Sequence, residues 1–328
     1  VDIPYINEIT EGRFLRNMSD KKNRGLHLIE ISPHIYAGAV NKYASITDSV
    51  QKGPDGFYTP TIMTGGVAFL FNKVALLMNS ENMDVAFVAD RAATKKREID
   101  PDYKISRVNR DTSNEDTQKE VAEYVLEKCG FTVLSEEGYE ADDLLYNYSK
   151  KYSKVYKSVA VHTDDSDNFI CCDDNVMIFP ARNGGKFITK ENYETTVKGD
   201  KIIPWNAMSF HNMLHGKPAN DLKALPRQDQ DLLVRMFWKD MFFPYLGRPE
   251  MMLPKLKEIS ESIWKQAALS YPIIMDEVPD VEFKEPDWDL AKVWGYYLKS
   301  SEFKTISRHH IDISSDIAEL FRKGYQVN

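Results

Sequence analysis

The chain has 328 residues, 42% hydrophobic and 28% charged, with a formal net charge of −8. That composition belongs to a soluble globular protein with a substantial core, and the acidic balance excludes a broad positive footprint for nucleic acid, so such contact would need a local basic patch. No apolar run approaches the ~20 residues of a membrane span, and Cys129, Cys171 and Cys172 lack CxxC spacing, which argues against a disulfide framework or zinc site and fits a reducing cytoplasm.

Residues 1–25 are polar and mixed, and read as an extension lying on the domain. LHLIEIS, 26–32, fits a buried strand with Glu30 near its C-terminal end. After a Gly/Pro/Asp loop, TGGVAFLFNKVALLMNS has helical spacing from Val67 to Met78, and DVAFVAD, 84–90, is a second strand ending in Asp90. Residues 91–117 turn basic and then acidic, an excursion from the core. QKEVAEYVLEKCG is an amphipathic helix stopped at Gly130. FTVLSEEG reads as a strand, ADDLLYNYSKKYSK as a helix, SVAVHTDDSD as a strand ending in acids, and NVMIFPAR with GKFITKENY completes the alternation. The expected fold is α/β, a central mostly parallel sheet flanked by helices.

Beyond about residue 200 the texture is helical: AMSFHNMLHG, QDLLVRMFWKDMFF and PKLKEISESIWKQAALSY, then a Pro-rich bridge and two closing segments, DLAKVWGYYLKSSEF and SSDIAELFRKGY. The predicted layout is an extension (1–25), an α/β domain (26–200) with a basic segment near 91–117, and a helical C-terminal region (201–328).

Glu140, Asp142 and Asp143 fall within four positions at a helix start. The helix dipole favours an exposed acid there by about 0.3–1 kcal/mol. Three of them repel one another, so an inward-facing cluster needs cations or protons; the plainer reading is a solvated acidic first turn. Glu30, Asp90 and the pair Asp165/Asp167 end strands, where open α/β sheets bind ligands, and this favours the cation reading. DDSDNFICCDDN is no EF-hand, since its sixth position is not glycine and no Glu closes it. His162 beside these acids reads as a packing residue.

LHLIEIS, VADRAATKKREIDPDYKISR, GYEADDLL and HTDDSDNF, in this order and spacing, resemble the 5′ nuclease family: flap endonucleases, the 5′–3′ exonuclease domain of bacterial DNA polymerase I, and phage exonucleases including the phage-type RNase H. The likeness runs over about 26–225 and looks greatest to the phage members, because the segment between basic run and acidic helix is short. It implies a PIN-like fold and a metal-dependent 5′–3′ exonuclease or flap endonuclease acting on 5′ ends of DNA or RNA primers during replication. Flapped or 5′-ended duplex and RNA–DNA hybrid are the implied substrates, and a single-stranded-DNA-binding protein or polymerase the implied partner of a monomeric enzyme in the cytoplasm, the host's if phage-encoded. The implied cofactor is Mg²⁺ or Mn²⁺, two ions: Asp90, Glu140 and Asp142 for one, Asp143, Asp165 and Asp167 for the other, with Glu30 acting through water. Lys96, Lys104 and Arg107 carry the implied catalytic role, and Arg91, Lys95, Arg97, Tyr103 and Arg110 belong to a helical arch that receives the 5′ end, Tyr103 by stacking on a base.

The pattern departs from the family in three places. Glu30 stands where the first strand usually ends in Asp. Gly216-Lys217-Pro218-Ala219-Asn220-Asp221 replaces the family's G-D-x-x-D-N, leaving Lys217 either a charge surrogate or a weakener of the second metal site, and Asp221 an expected substitute ligand. DLKALPRQDQDLLVRMF lacks the glycine turn that grips duplex backbone, so Lys217, Lys223 and Arg227 are the expected contacts there. These departures motivate the alternative, a catalytically weakened nuclease-like DNA-binding or replication scaffold protein.

Overall fold

The computed structural model describes residues 21–40, 82–108, 113–180, 187–190, 205–238 and 245–291, with short pieces at 51–52, 58–59, 62–63, 66, 70–71, 196–198, 201–203 and 305–306. The expected helix from Val67 to Met78, the extension before residue 21, Arg110 and the closing segment SSDIAELFRKGY lie wholly or largely outside them.

The first strand, β1 (Gly25–Glu30), runs without a loop into α1 (Ile31–Val40), so Glu30 ends the strand and Ser32 already sits in a helix. β2 (Met83–Val88) leads to the short α2 (Thr94–Ile99) and to α3 (Ser113–Lys128), which stops before Gly130 at φ +80°. β3 (Thr132–Leu134), α4 (Ala141–Tyr152), β4 (Ser158–His162) and β5 (Val176–Phe179) follow.

The five strands pair in the order β3-β2-β1-β4-β5, every pairing parallel. The chain builds outward from β1 in one direction and then returns to its other side, which leaves a crevice between the carboxyl ends of β1 and β4. Alternation along the strands sorts the side chains onto two faces. Leu26, Leu28, Ala86, Val88, Val159 and Val161 pack with Leu144, Leu145 and Tyr148 of α4, whereas Ile29, Val85 and Phe87 pack with Ile35 of α1 and Val125 and Leu126 of α3. Helices therefore cover both faces.

The C-terminal helices extend the first of these cores. α5 (Met208–His215), α6 (Arg227–Trp238), α7 (Pro249–Ile259) and α8 (Glu261–Ser270) contribute Phe210, Met213, Leu233, Met252, Leu256, Ile263 and Ala267 to the cluster that holds Leu26 and Val161. PKLKEISESIWKQAALSY is two helices rather than one, because Ser260 takes extended backbone and its Oγ accepts the Ile263 N–H, capping α8.

Candidate active site

Four chain segments bring acids to the crevice. Glu30 ends β1, Asp90 follows β2, Asp142 sits in the first turn of α4, and Asp165 and Asp167 follow β4. Short polar contacts fix them. Thr163 Oγ1 donates to Glu30 Oε2 at 2.6 Å, and Ser32 Oγ and the Ala141 N–H donate to the two oxygens of Asp90 at 2.6 and 2.8 Å. Asn168 Nδ2 donates to Asp142 Oδ1 at 2.7 Å. Ser32, Thr163 and Asn168 were not singled out from the sequence, although all three neighbour the acidic motifs.

Among the described residues, Glu30 Oε1 and Asp142 Oδ2 have no hydrogen-bonding or ion-pairing partner. Burial, reinforced by Asp142 and Asp90, raises the Glu30 pKa well above the ordinary carboxylate range. Asp142 is pushed up to about 7 by burial, then by Asp165 and Glu140. Either protons or a cation can relieve the charge crowded onto these two carboxylates.

Glu140, Asp143, Asp165 and Asp167 are met by lysines. Lys96 Nζ lies 3.1 Å from Glu140 Oε2 and 3.2 Å from Asp143 Oδ1, and Lys104 Nζ pairs with Glu140 Oε1. Burial alone would raise the Glu140 pKa; Lys96 and Lys104 outweigh it and hold the group at about 2. Burial likewise opposes the charge on Lys96, and Asp143 and Glu140 overcome it. Asp143, expected as a ligand of the second metal, is fully buried: its Oδ2 accepts the Glu140 N–H as a helix cap and its Oδ1 the Ile273 N–H at 2.8 Å. Its oxygens tie α4 to the C-terminal region instead of facing the crevice.

Asp167 is also saturated, by Asn212 Nδ2 at 2.9 Å on Oδ1 and by Lys217 Nζ on Oδ2. Lys217 Nζ stands 3.4 Å from Asp165 Oδ2, whose side chain remains 40% exposed. Asn212 lies in α5, where nothing in the sequence marked it. Asp221 is not brought to the cluster; its Oδ2 accepts the Ser106 N–H and Oγ–H at 2.9 and 2.8 Å, which pins the turn after Lys217 to the basic segment.

The basic residues divide in the same way. Tyr103 does not present a ring for base stacking: it is 2% exposed, and its hydroxyl donates to Glu140 Oε2 at 3.0 Å. Arg91 forks onto Glu123 at 3.1 and 2.8 Å and reaches Ser135 Oγ. Arg107 donates to the Ala219 carbonyl at 3.1 and 2.9 Å and to Asn220 Oδ1, so it clamps the 217–222 turn and leaves no fork aimed at the acids. Lys95 lies over the Tyr139 ring at 4.7 Å, and Arg97 Nε reaches the Tyr103 carbonyl at 3.4 Å. Lys223 and Arg227 are exposed beyond the turn.

Oxygen donors alone face the crevice, which suits a hard divalent cation such as Mg²⁺ or Mn²⁺. Beside Asp142 and Asp167 a polar cavity of about 20 Å³, room for one water, is lined by Asn168 and Ser209. Asn168 Oδ1 and Ser209 Oγ find no partner among the described residues. No group of three or more His, Cys, Asp or Glu side chains among those residues closes into a metal-holding arrangement. Two ready-made ligand sets are thus not what the chain displays. One pair of crowded acids fits a cation, Asp90 is held by Ser32 and the Ala141 N–H, and the remainder are met by lysine.

Residues 42–198 match the family model described as 5′-3′ exonuclease, N-terminal resolvase-like domain. The matched stretch is just under half of the chain. That match spans Asp90, Glu140, Asp142, Asp143, Asp165 and Asp167, and leaves Glu30 and Lys217 outside it. Over 173 residues this chain is 30% identical to DNA polymerase I of Mycobacterium bovis and of Mycobacterium tuberculosis, covering 52% of this chain but 18% of the length of those relatives. Similar solved structures include a flap endonuclease of bacteriophage T5 in a pseudo-enzyme-product complex with DNA and metal ions, at 14% identity and a TM-score of 0.46 over 90% of this chain and 100% of the other. Human GEN1 in complex with Holliday junction DNA is also similar, at 14% identity and a TM-score of 0.44 over 92% and 73% of the two chains. Among the described residues no helix is long and apolar enough to cross a membrane.

Proposed function

We propose that this chain is a divalent-metal-dependent 5′ nuclease, a 5′–3′ exonuclease and flap endonuclease that hydrolyses phosphodiesters at the 5′ ends of DNA or of RNA primers during replication. The observation that carries the reading is the meeting of Glu30, Asp90, Asp142 and Asp165 at the carboxyl edge of a parallel sheet, with Glu30 buried and Asp142 half-buried, the two repelling each other and each offering an oxygen without a partner among the described residues. Glu30 and Asp142 would hold the cation, with Asp90 and Asp165 beside them, and it would supply a water acidified toward neutral pH and charge compensation on the phosphate.

The chain's own groups do the positioning. Thr163, Ser32, the Ala141 N–H and Asn168 fix the carboxylates, and the cost of reorganising them is met in folding rather than in the reaction. Lys104, with a side chain 14% exposed on Glu140, is the catalytic lysine nearest the mouth; Lys96, at 6%, keeps Glu140 ionised, and Arg107 holds the arch against the 217–222 turn. Lys95, Arg97, Lys223 and Arg227 flank the crevice as phosphate contacts. Flapped or 5′-ended DNA and RNA–DNA hybrid are the proposed substrates, and a single-stranded-DNA-binding protein or polymerase the proposed partner of a monomer working in the cytoplasm. The layout proposed with it is an extension (1–25), a PIN-like α/β nuclease domain (26–200) and a helical C-terminal region (201–328).

The three lysines on the acids favour one second reading, a weakened nuclease that binds DNA as a scaffold. Cleavage of a 5′-labelled flapped duplex and an RNA–DNA hybrid with Mg²⁺ or Mn²⁺ separates the two. Short 5′ products that disappear in EDTA and in Asp142→Asn support the enzyme. Binding without cleavage supports the scaffold.

A further inference from the structure

Lys217 is held in place from every side. Gly216 enters its turn at φ +76°, and Lys217 exchanges backbone hydrogen bonds with Leu222 at 3.0 and 3.2 Å. Arg107 clamps Ala219 and Asn220, the Lys104 N–H donates to the Asn220 carbonyl at 3.2 Å, and Ser106 holds Asp221. At the far end the ammonium meets Asp165 and Asp167, and Asn212 fixes the second oxygen of Asp167. The Lys217 and Asp167 side chains are each 17% exposed, so the pair is largely withdrawn from water. A mobile surface lysine would not need this much scaffolding.

From this geometry we infer that the Lys217 ammonium permanently replaces one of the two divalent cations expected of the proposed nuclease site, so that the chain loads a single divalent cation, on the Glu30 and Asp142 side. The inference rests on the nuclease reading and goes beyond it, since it fixes the cation stoichiometry and gives Lys217 a role as a positioning residue. The Lys217 ammonium faces two carboxylates, Asp167 and Asp165, and compensates their charge. An ammonium compensates charge through three donors but has no open coordination position for a water. Water activation is thereby left to the one cation, and Lys217 keeps Asp165 and Asp167 paired whether or not that cation is bound.

The test is Mn²⁺ binding to the full chain, counted by electron paramagnetic resonance and by calorimetry, for the wild type, Lys217→Ala, Lys217→Gln and Lys217→Arg. One Mn²⁺ is expected for the wild type and for Lys217→Arg. A second, bound at least tenfold more tightly than any second equivalent of the wild type, is expected in Lys217→Ala and Lys217→Gln, with spin coupling between the two ions. Two ions on the wild type, or one ion on well-folded Lys217→Ala and Lys217→Gln, would overturn the inference while Mn²⁺-dependent flap cleavage by the wild type left the nuclease reading intact. No Mn²⁺ on the wild type, and no cleavage, would sink both. Should both neutral variants fail to fold by circular dichroism, the wild-type count still decides.

Discussion

Replacing Lys96 with Met keeps the length of the side chain and removes the charge that Glu140 and Asp143 share. Both partners are buried, Glu140 at 10% and Asp143 at 0% side-chain exposure, so the variant leaves two carboxylates in the interior with Lys104 alone on one of them. Removing one partner of a buried pair costs about 3–5 kcal/mol. The combined effect of Lys96 and Lys104 on Glu140, net of burial, has a similar size. The Glu140 pKa falls from 4.5 to about 2 on folding, which at 1.36 kcal/mol per unit is about 3 kcal/mol of stability. Because the folded value is the lower one, that contribution is complete above pH 4.5 and is lost as the pH falls toward 2. In Lys96→Met the Glu140 pKa moves up, so the variant gains by taking up a proton where the wild type loses. Urea unfolding in EDTA at pH 7 and pH 3.5 reads this directly. The expected gap is about 3 kcal/mol at pH 7, narrowing at the lower pH. A gap below about 1 kcal/mol at pH 7, the range of exposed pairs, or one independent of pH, would refute the account of Lys96 as the counter-charge of the α4 start.

Two further outcomes follow from features outside that network. His27 Nδ1 and His162 Nε2 lie 2.7 Å apart on neighbouring strands, and burial lowers the His27 pKa from 6.5 to about 4. The unfolded chain therefore takes up this proton first, and stability falls by about 3 kcal/mol as the pH drops from 6.5 to 4. His27→Gln should remove that slope from the difference between paired melting curves, and an unchanged slope would show that the proton is taken up elsewhere. Gly216→Ala should lower stability by at least the roughly 1–2 kcal/mol of a left-handed non-glycine residue. An added Cβ at Gly216 meets the Leu222 carbonyl oxygen at 2.5 Å, so a thermal midpoint equal to that of the wild type would mean that the turn carrying Lys217 yields freely.

The alternation of strands and helices was legible because parallel strands are buried on both faces and appear as continuous apolar runs, as in DVAFVAD and SVAVH. The acids at the strand ends were legible for a related reason: a charged residue closing such a run has the carboxyl edge of the sheet as its destination. What sequence periodicity does not encode is the direction in which neighbouring acids point. Glu140, Asp142 and Asp143 are adjacent in the chain, yet successive helix positions diverge by about a quarter turn. Asp142 consequently faces the crevice, Glu140 faces the basic segment, and Asp143 turns inward to the Ile273 N–H, a partner 130 residues away.

The same distance in sequence hid the partners of the basic residues. Tyr103, Lys96 and Arg107 have the composition of a phosphate-binding arch, and their local sequence carries no sign that Glu140 lies 37 residues on or that Ala219 lies 112 residues on. Once those contacts exist, the economy of the site changes. Each lysine on an acid lowers the charge that metal ions would otherwise have to neutralise, and Glu30 and Asp142, which pair with no lysine, are raised by burial and by neighbouring acids. Lys217 was a departure visible beforehand, and its direction of effect depended on a fact the sequence does not hold: whether the turn places Nζ on Asp165 and Asp167 or leaves it in solvent. With Nζ on both carboxylates, a lysine at this position brings positive charge to the acids instead of adding a further carboxylate to them.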